Sequence, residues 1–215
     1  MRRAWIGAMP VTLTLPPGLH RRPLRRQRRL RRLTLGALIA LALALLAAGF
    51  WLPAKAELAQ QLLNRAWQRT ADGDALAKPW PWADTHPVAR LKLQGSDEPL
   101  TVLAGASGRN LAFAPALLDG SARPGAHGVT VIAGHRDTHF RRLATLALGD
   151  VLTLERPDGS VLNYEVANLD VIDSERAELR LDADESIVVL VTCYPFEAVT
   201  PGGSLRYVVT ARQRF

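Results

Sequence analysis

The chain has 215 residues, formal net charge +7 and a single cysteine. This is enough for one medium domain with appendages, and it excludes any internal disulfide. The charge is not spread over the chain: residues 1–32 hold ten arginines and no acidic residue, and the remainder has 17 basic against 20 acidic residues, net −3. That distribution argues against a nucleic-acid partner, because a basic block of this kind flanks a membrane span more often than it forms a binding face.

Residues 1–32 read as a basic arm without stable structure. Pro16, Pro17 and Gly18 break any helix, and eight arginines crowd residues 21–32. Residues 33–52 follow with no charge and only Thr34 as a polar side chain. Twenty apolar residues are the length that crosses a bilayer as a helix, and arginines on the amino side place that end in the cytoplasm. A cleaved signal peptide competes with this reading, since Ala54-Lys55-Ala56 fits a small-x-small cleavage site. The apolar run is longer than the roughly 7–15 residues of a signal core, so the sequence favours an uncleaved anchor.

Residues 53–79 are expected to be a stalk helix and linker, because Leu58, Leu62, Leu63, Ala66 and Trp67 form a stripe at helical spacing. The same stripe also suits a helix packed on the domain. Trp80-Pro81-Trp82 opens the domain itself, residues 80–215, as an extended segment clamped on its surface. From Val88 the apolar period becomes two. Strands are expected over 88–93, 100–103, 128–134, 151–155, 161–166, 187–192 and 205–211, with 166–172 extending one strand or starting another. Residues 111–118 read as a helical turn, and 175–185 as a loop with a short helix. Phe140, Leu143 and Leu146 have helical spacing, while Pro157-Asp158-Gly159 makes a hairpin turn. Many short strands with turns between them predict an all-β barrel or sandwich.

The stretch from Ile187 to Thr192 is apolar and β-branched, the composition of a strand covered on both faces. Pro195 cannot donate to a ladder, so pairing should stop near Cys193. The thiol therefore arrives at a strand end, as do His135 after 128–134 and Arg206 at the start of the last strand. A thiolate to attack a carbonyl, an imidazole to protonate the leaving amine and a guanidinium to hold the oxyanion make a complete acyl-transfer set. His135 and His139 are four apart with His127 nearby, but such zinc pairs sit on a helix face and His135 follows a strand, so no metal is expected. Asp137 is a candidate to orient His135 and reads equally as an exposed loop carboxylate, and Arg136, Arg141 and Arg142 read as a solvated basic edge.

Leu190-Val191-Thr192-Cys193 resembles the last four positions of the Thr-Leu-x-Thr-Cys signature of the sortases, with Val189 replacing the first threonine. Ala133-Gly134-His135-Arg136 is similar to the segment around the family histidine, and Arg206 stands at the place of the family arginine. The resemblance covers roughly 88–215. It is nearest the compact class D and E sortases, while residues 80–91 resemble those of Gram-negative bacteria. It implies an eight-stranded β-barrel with short helices behind an N-terminal transmembrane helix, with Cys193, His135 and Arg206 catalytic and no cofactor. Cys193 would cleave a C-terminal sorting motif of an exported partner protein through a thioester, passing it to an amine in the envelope or to water. Thr192 would lie beside the acyl group. The resemblance also implies an inner-membrane location with the domain periplasmic. An L,D-transpeptidase is a poorer fit, because its arginine follows the cysteine almost at once and here Tyr194-Pro195 follows. Papain-like peptidases reverse the Cys–His order. A non-catalytic envelope adaptor with a buried thiol is the rival from another class.

Overall fold

The computed structural model describes residues 23–198 and 202–214; of the arm expected over 1–32 to lack stable structure, residues 1–22 lie outside the described ones and 23–32 are helical instead. The first helix, α1, covers Pro23–Ala71, and its residues fall in two compact units that divide between Leu52 and Pro53. In the first unit the helical residues turn their apolar side chains outward: Leu33 is 71% and Phe50 74% exposed. An 18-residue window here has mean hydropathy 2.4, long and apolar enough to cross a membrane by length and composition.

In the second unit the rest of α1 packs into the domain. Ala59, Leu63, Ala66, Trp67 and Thr70 are buried, one face at spacings of three and four. Leu58, expected in that stripe, lies outside it and is exposed. Leu63 packs with Leu103, Ala114 and Ala116, and the Arg90 guanidinium sits 5.3 Å from the Trp67 ring centroid. Fully burying side chains such as Leu63 and Trp67 is worth about 1.5–3 kcal/mol apiece, so this stretch is a structural wall of the domain. Trp80 meets Phe113 edge-on at 4.9 Å, whereas Trp82 is exposed.

Eight strands then close a barrel: β1 (Pro87–Lys92), β2 (Leu100–Ala104), β3 (Ala116–Leu117), β4 (Gly128–Ala133), β5 (Val151–Glu155), β6 (Val161–Asp173), β7 (Ser186–Cys193) and β8 (Leu205–Arg214). Their order around the barrel is β1-β2-β3-β4-β7-β8-β6-β5. The stretch expected as a helical turn over 111–118 divides otherwise: the helical turn α2 is Gly108–Leu111, capped by the Ser107 hydroxyl, and Ala116–Leu117 pairs as a strand. Residues 175–185 contain no helix; they leave a turn at 174–176 and continue as loop, with the backbone N–H of Val129 donating to the Leu181 carbonyl at 3.0 Å. The strand candidates over 161–172 merge into one long β6, interrupted by a register shift between Val166 and Asn168.

The interior is filled by Leu91, Ile132, Leu154, Tyr164, Leu190 and Val209 among others. Phe140, Leu143 and Leu146 join them from the segment after β4, which forms a 3₁₀ helix over Arg141–Thr145. Their strict three-residue period suits that helix, whose side chains at i and i+3 eclipse on one side. A second apolar cluster lies on the outer face, where Val129, Val131, Val189 and Val208 are covered by Leu181 and Ala183. β4 and β7 are thus apolar on both faces because both faces are covered.

Candidate functional site

The site is set by register. β4 and β7 run parallel with Ala133 opposite Val191, and the ladder continues with the Gly134 N–H donating to the Val191 carbonyl at 3.1 Å. Two further places bring His135 level with Cys193. β7 and β8 run antiparallel with Cys193 directly opposite Arg206, and β8 in turn places Arg206 opposite Ile172 of β6. Residues directly opposite on neighbouring strands share a face, with Cβ atoms about 4.5–5.5 Å apart in an antiparallel pair. Cys193 and Arg206 are therefore paired across two strand ends, and the β4 register carried past Ala133 sets His135 on the other side of Cys193, in one row. The row caps an outward-facing lane made by Val131, Val189, Val191 and Val208.

Accessibility fits a reactive row. His135 is exposed, while Cys193 and Arg206 are half-buried. Arg206 uses Nη1 to donate to the carbonyls of Gly203 (2.8 Å) and Leu205 (2.9 Å), which fixes the base of its fork. Beyond Cys193 the chain turns through a cis Tyr194–Pro195 bond into an aromatic group: Tyr194 stacks on Tyr207 at 6.2 Å, and Phe196 meets Tyr207 edge-on at 5.1 Å.

Three expectations change here. Thr192 does not face the lane; it is 3% exposed on the opposite side of the pleat, and its hydroxyl donates to the Gly134 carbonyl at 2.7 Å. Asp137 does not orient His135, because both its oxygens accept from Arg136, at 2.7 and 3.1 Å. That hydrogen bonding holds the Asp137 carboxyl below its ordinary range, with the charges of Arg136, His135 and Arg141 adding to it. Arg136 is no solvated edge: it is 9% exposed and also donates to the Pro195 and Ala198 carbonyls.

The backbone beside His135 is tightly fitted. A Cβ on Gly134 would lie 2.7 Å from the buried Phe140 ring, so only glycine lets the ring close the barrel end there. His139 is partly buried with its basicity lowered, first by burial and then by the charge of His135. Among the described residues no group of three or more His, Cys, Asp or Glu side chains is placed to hold a metal.

Fold and site together describe a closed mixed barrel that presents a thiol at a strand end. The sequence profile of the sortase domain matches residues 91–214, more than half of the chain, and the chain belongs to the sortase family. Sortase D of Bacillus subtilis (strain 168) is 33% identical over 91 residues, which are 42% of this chain and 45% of that protein, so the match spans less than half of the relative. The likeness to the class D and E members agrees with that relative. Among solved structures, sortase C-1 from Actinomyces oris is 29% identical with TM-score 0.53, covering 60% of this chain and 74% of its own. Sortase A from Corynebacterium diphtheriae is 25% identical with TM-score 0.56, covering 73% and 84%.

Proposed function

We propose that the chain is a membrane-anchored cysteine transpeptidase. The observation that carries this reading is the row His135–Cys193–Arg206 across the ends of β4, β7 and β8, supported by membership of the sortase family. Cys193 Sγ attacks the carbonyl carbon of a peptide bond in a sorting motif near the C-terminus of an exported protein. The tetrahedral oxyanion takes donors from Arg206, whose Nε and Nη2 are free of the bonds that Nη1 makes. His135 gives its proton to the leaving amine as the C–N bond breaks, leaving a thioester. An amine of the envelope, or water, then attacks the thioester, loses its proton to His135, and releases Cys193 as the thiolate.

The half-buried Val191, on the outer face next to Cys193, offers an apolar contact to residues just before the scissile bond. Residues 33–52 are the membrane span, with the basic arm cytoplasmic and the barrel extracytoplasmic, and residues 53–79 brace the barrel. Charge asymmetry about the apolar run supports that orientation. Thr192 acts from behind the row, through the Gly134 carbonyl that precedes His135.

The test is hydroxylamine-dependent cleavage of peptides with a Thr–Gly-type bond by the full chain in detergent. Hydroxamate should form with the intact chain and vanish with Cys193→Ala. Equal product from Cys193→Ala would contradict the reading.

A further inference from the structure

Past the end of the β4–β7 ladder, the two segments that carry the row are no longer joined by backbone hydrogen bonds among the described residues. Beyond the Thr192 hydroxyl on the Gly134 carbonyl, the side-chain hydrogen bonds that join them come from one residue, Arg136. The Arg136 fork donates from Nε and Nη2 to the two oxygens of Asp137, from Nη1 to the Pro195 carbonyl at 2.7 Å, and from Nη2 to the Ala198 carbonyl at 2.8 Å. Four of the five guanidinium donors are thus spent on partners 59 and 62 positions away and on the adjacent carboxylate. A charge so buried persists only when paired and hydrogen-bonded, which makes the arrangement specific to arginine.

We propose that Arg136 is a positioning residue that sets the separation of the His135 imidazole and the Cys193 sulfur, by tying the chain one residue past His135 to the loop that begins two residues past Cys193. The inference rests on the reading of Cys193 and His135 as nucleophile and general acid–base. Its geometry is that of a strut. On one side, His135 points to solvent while Arg136 turns inward from the same turn. On the other, the tied carbonyls of Pro195 and Ala198 bracket Phe196, which packs on Tyr207 beside Arg206 in β8. The segments that carry His135 and Cys193 are both reached from this one guanidinium.

The experiment compares Arg136→Lys, Arg136→Met and Asp137→Asn with the unmodified full chain. It measures kcat, KM, melting temperature and the pH profile of Cys193 alkylation by iodoacetamide. Arg136→Lys keeps the charge and loses the fork. It should lower kcat about tenfold to a hundredfold, the scale of a misplacement near 1 Å, with KM nearly unchanged and the alkylation profile displaced. Asp137→Asn, which weakens one side of the strut, should show the same pattern at several-fold. A folded Arg136→Lys with the original kcat and alkylation profile overturns the proposal, whatever its melting temperature. Should the Arg136 variants fail to fold, Asp137→Asn decides by the same criterion. His135→Ala separates the two levels: an alkylation profile indifferent to loss of the imidazole refutes the Cys–His pair itself. A profile that responds to His135→Ala but not to Arg136→Lys or Asp137→Asn refutes the strut alone.

Discussion

Along β7 the pleat sorts side chains into two sets, with Val188, Leu190 and Thr192 on the inner face and Val189, Val191 and Cys193 on the outer. The inner set is nearly free of solvent, and its one polar member is consumed by the Gly134 carbonyl. The outer set is covered by Leu181 and Ala183 at its start and opens toward Cys193, where Val191 and the thiol are half-buried. Adjacent residues of one strand thus have opposite tasks. Thr192 fixes where the strand ends relative to β4, and Cys193 uses the fixed position. A reactive group at a strand end gains accuracy from neighbours that cannot themselves reach the substrate.

The comparison breaks most severely on the outer face. Cys193→Ala should abolish turnover while leaving the melting temperature close to that of the intact chain, since it removes one sulfur from a half-open position. His135→Ala and Arg206→Ala should each lower kcat/KM by about a hundredfold or more, the range for loss of a general acid or an oxyanion donor. Near-normal turnover by Arg206→Ala would remove that residue from the mechanism.

On the inner side the expected losses are of stability first. Gly134→Ala must displace the Phe140 ring, which its Cβ would approach to 2.7 Å, and overpacking of this kind costs about 1–3 kcal/mol. Activity should fall with it because Gly134 precedes His135; an unchanged unfolding midpoint in denaturant would contradict the tight fit. Thr192→Val keeps the shape and deletes the hydroxyl, leaving the Gly134 carbonyl short of a partner at a cost of about 1–3 kcal/mol. Thr192→Ser should recover most of that, and a Thr192→Val chain as stable as the original would show the bond to be idle.

The smallest effect is a dependence on pH. Burial lowers the basicity of both His86 and His139, with Arg123 adding to the first and His135 to the second. Below pH 6.5, the ordinary value, the unfolded chain then binds more protons than the folded one, so stability falls as pH drops from 6.5 through the lowered folded values. Asp137, Asp158 and Asp173 are shifted below 3.8, so their stabilising contributions persist across this window and are lost only in stronger acid. Melting curves between about pH 7 and about pH 5.5 should slope accordingly, and the double variant His86→Asn/His139→Gln should flatten them. A slope identical in that variant would assign it elsewhere.

Most of this architecture could be read from residue patterns. Apolar runs at 128–134 and 187–192 marked the doubly covered strands, and Pro195 marked where the second one stops. Period three at Phe140, Leu143 and Leu146 was visible as helical, though not as 3₁₀. The division of 111–118 was not legible, because a two-residue strand has no period of its own and exists only through its neighbours β2 and β4. Neither was the burial of Arg136. Composition marks an arginine as solvated, and only the meeting of the turn after β4 with the loop after β7 gives it carbonyls to satisfy.

The most direct measurement is the intact mass of the full chain quenched in acid during turnover of a Thr–Gly-type peptide. A species heavier by the acyl fragment, mapped to Cys193 and lost on adding hydroxylamine, is the expected result. A chain that never carries the adduct, and whose native thiol also resists small alkylating reagents, would mean that the sulfur is shut away and that the row at the barrel end performs no chemistry.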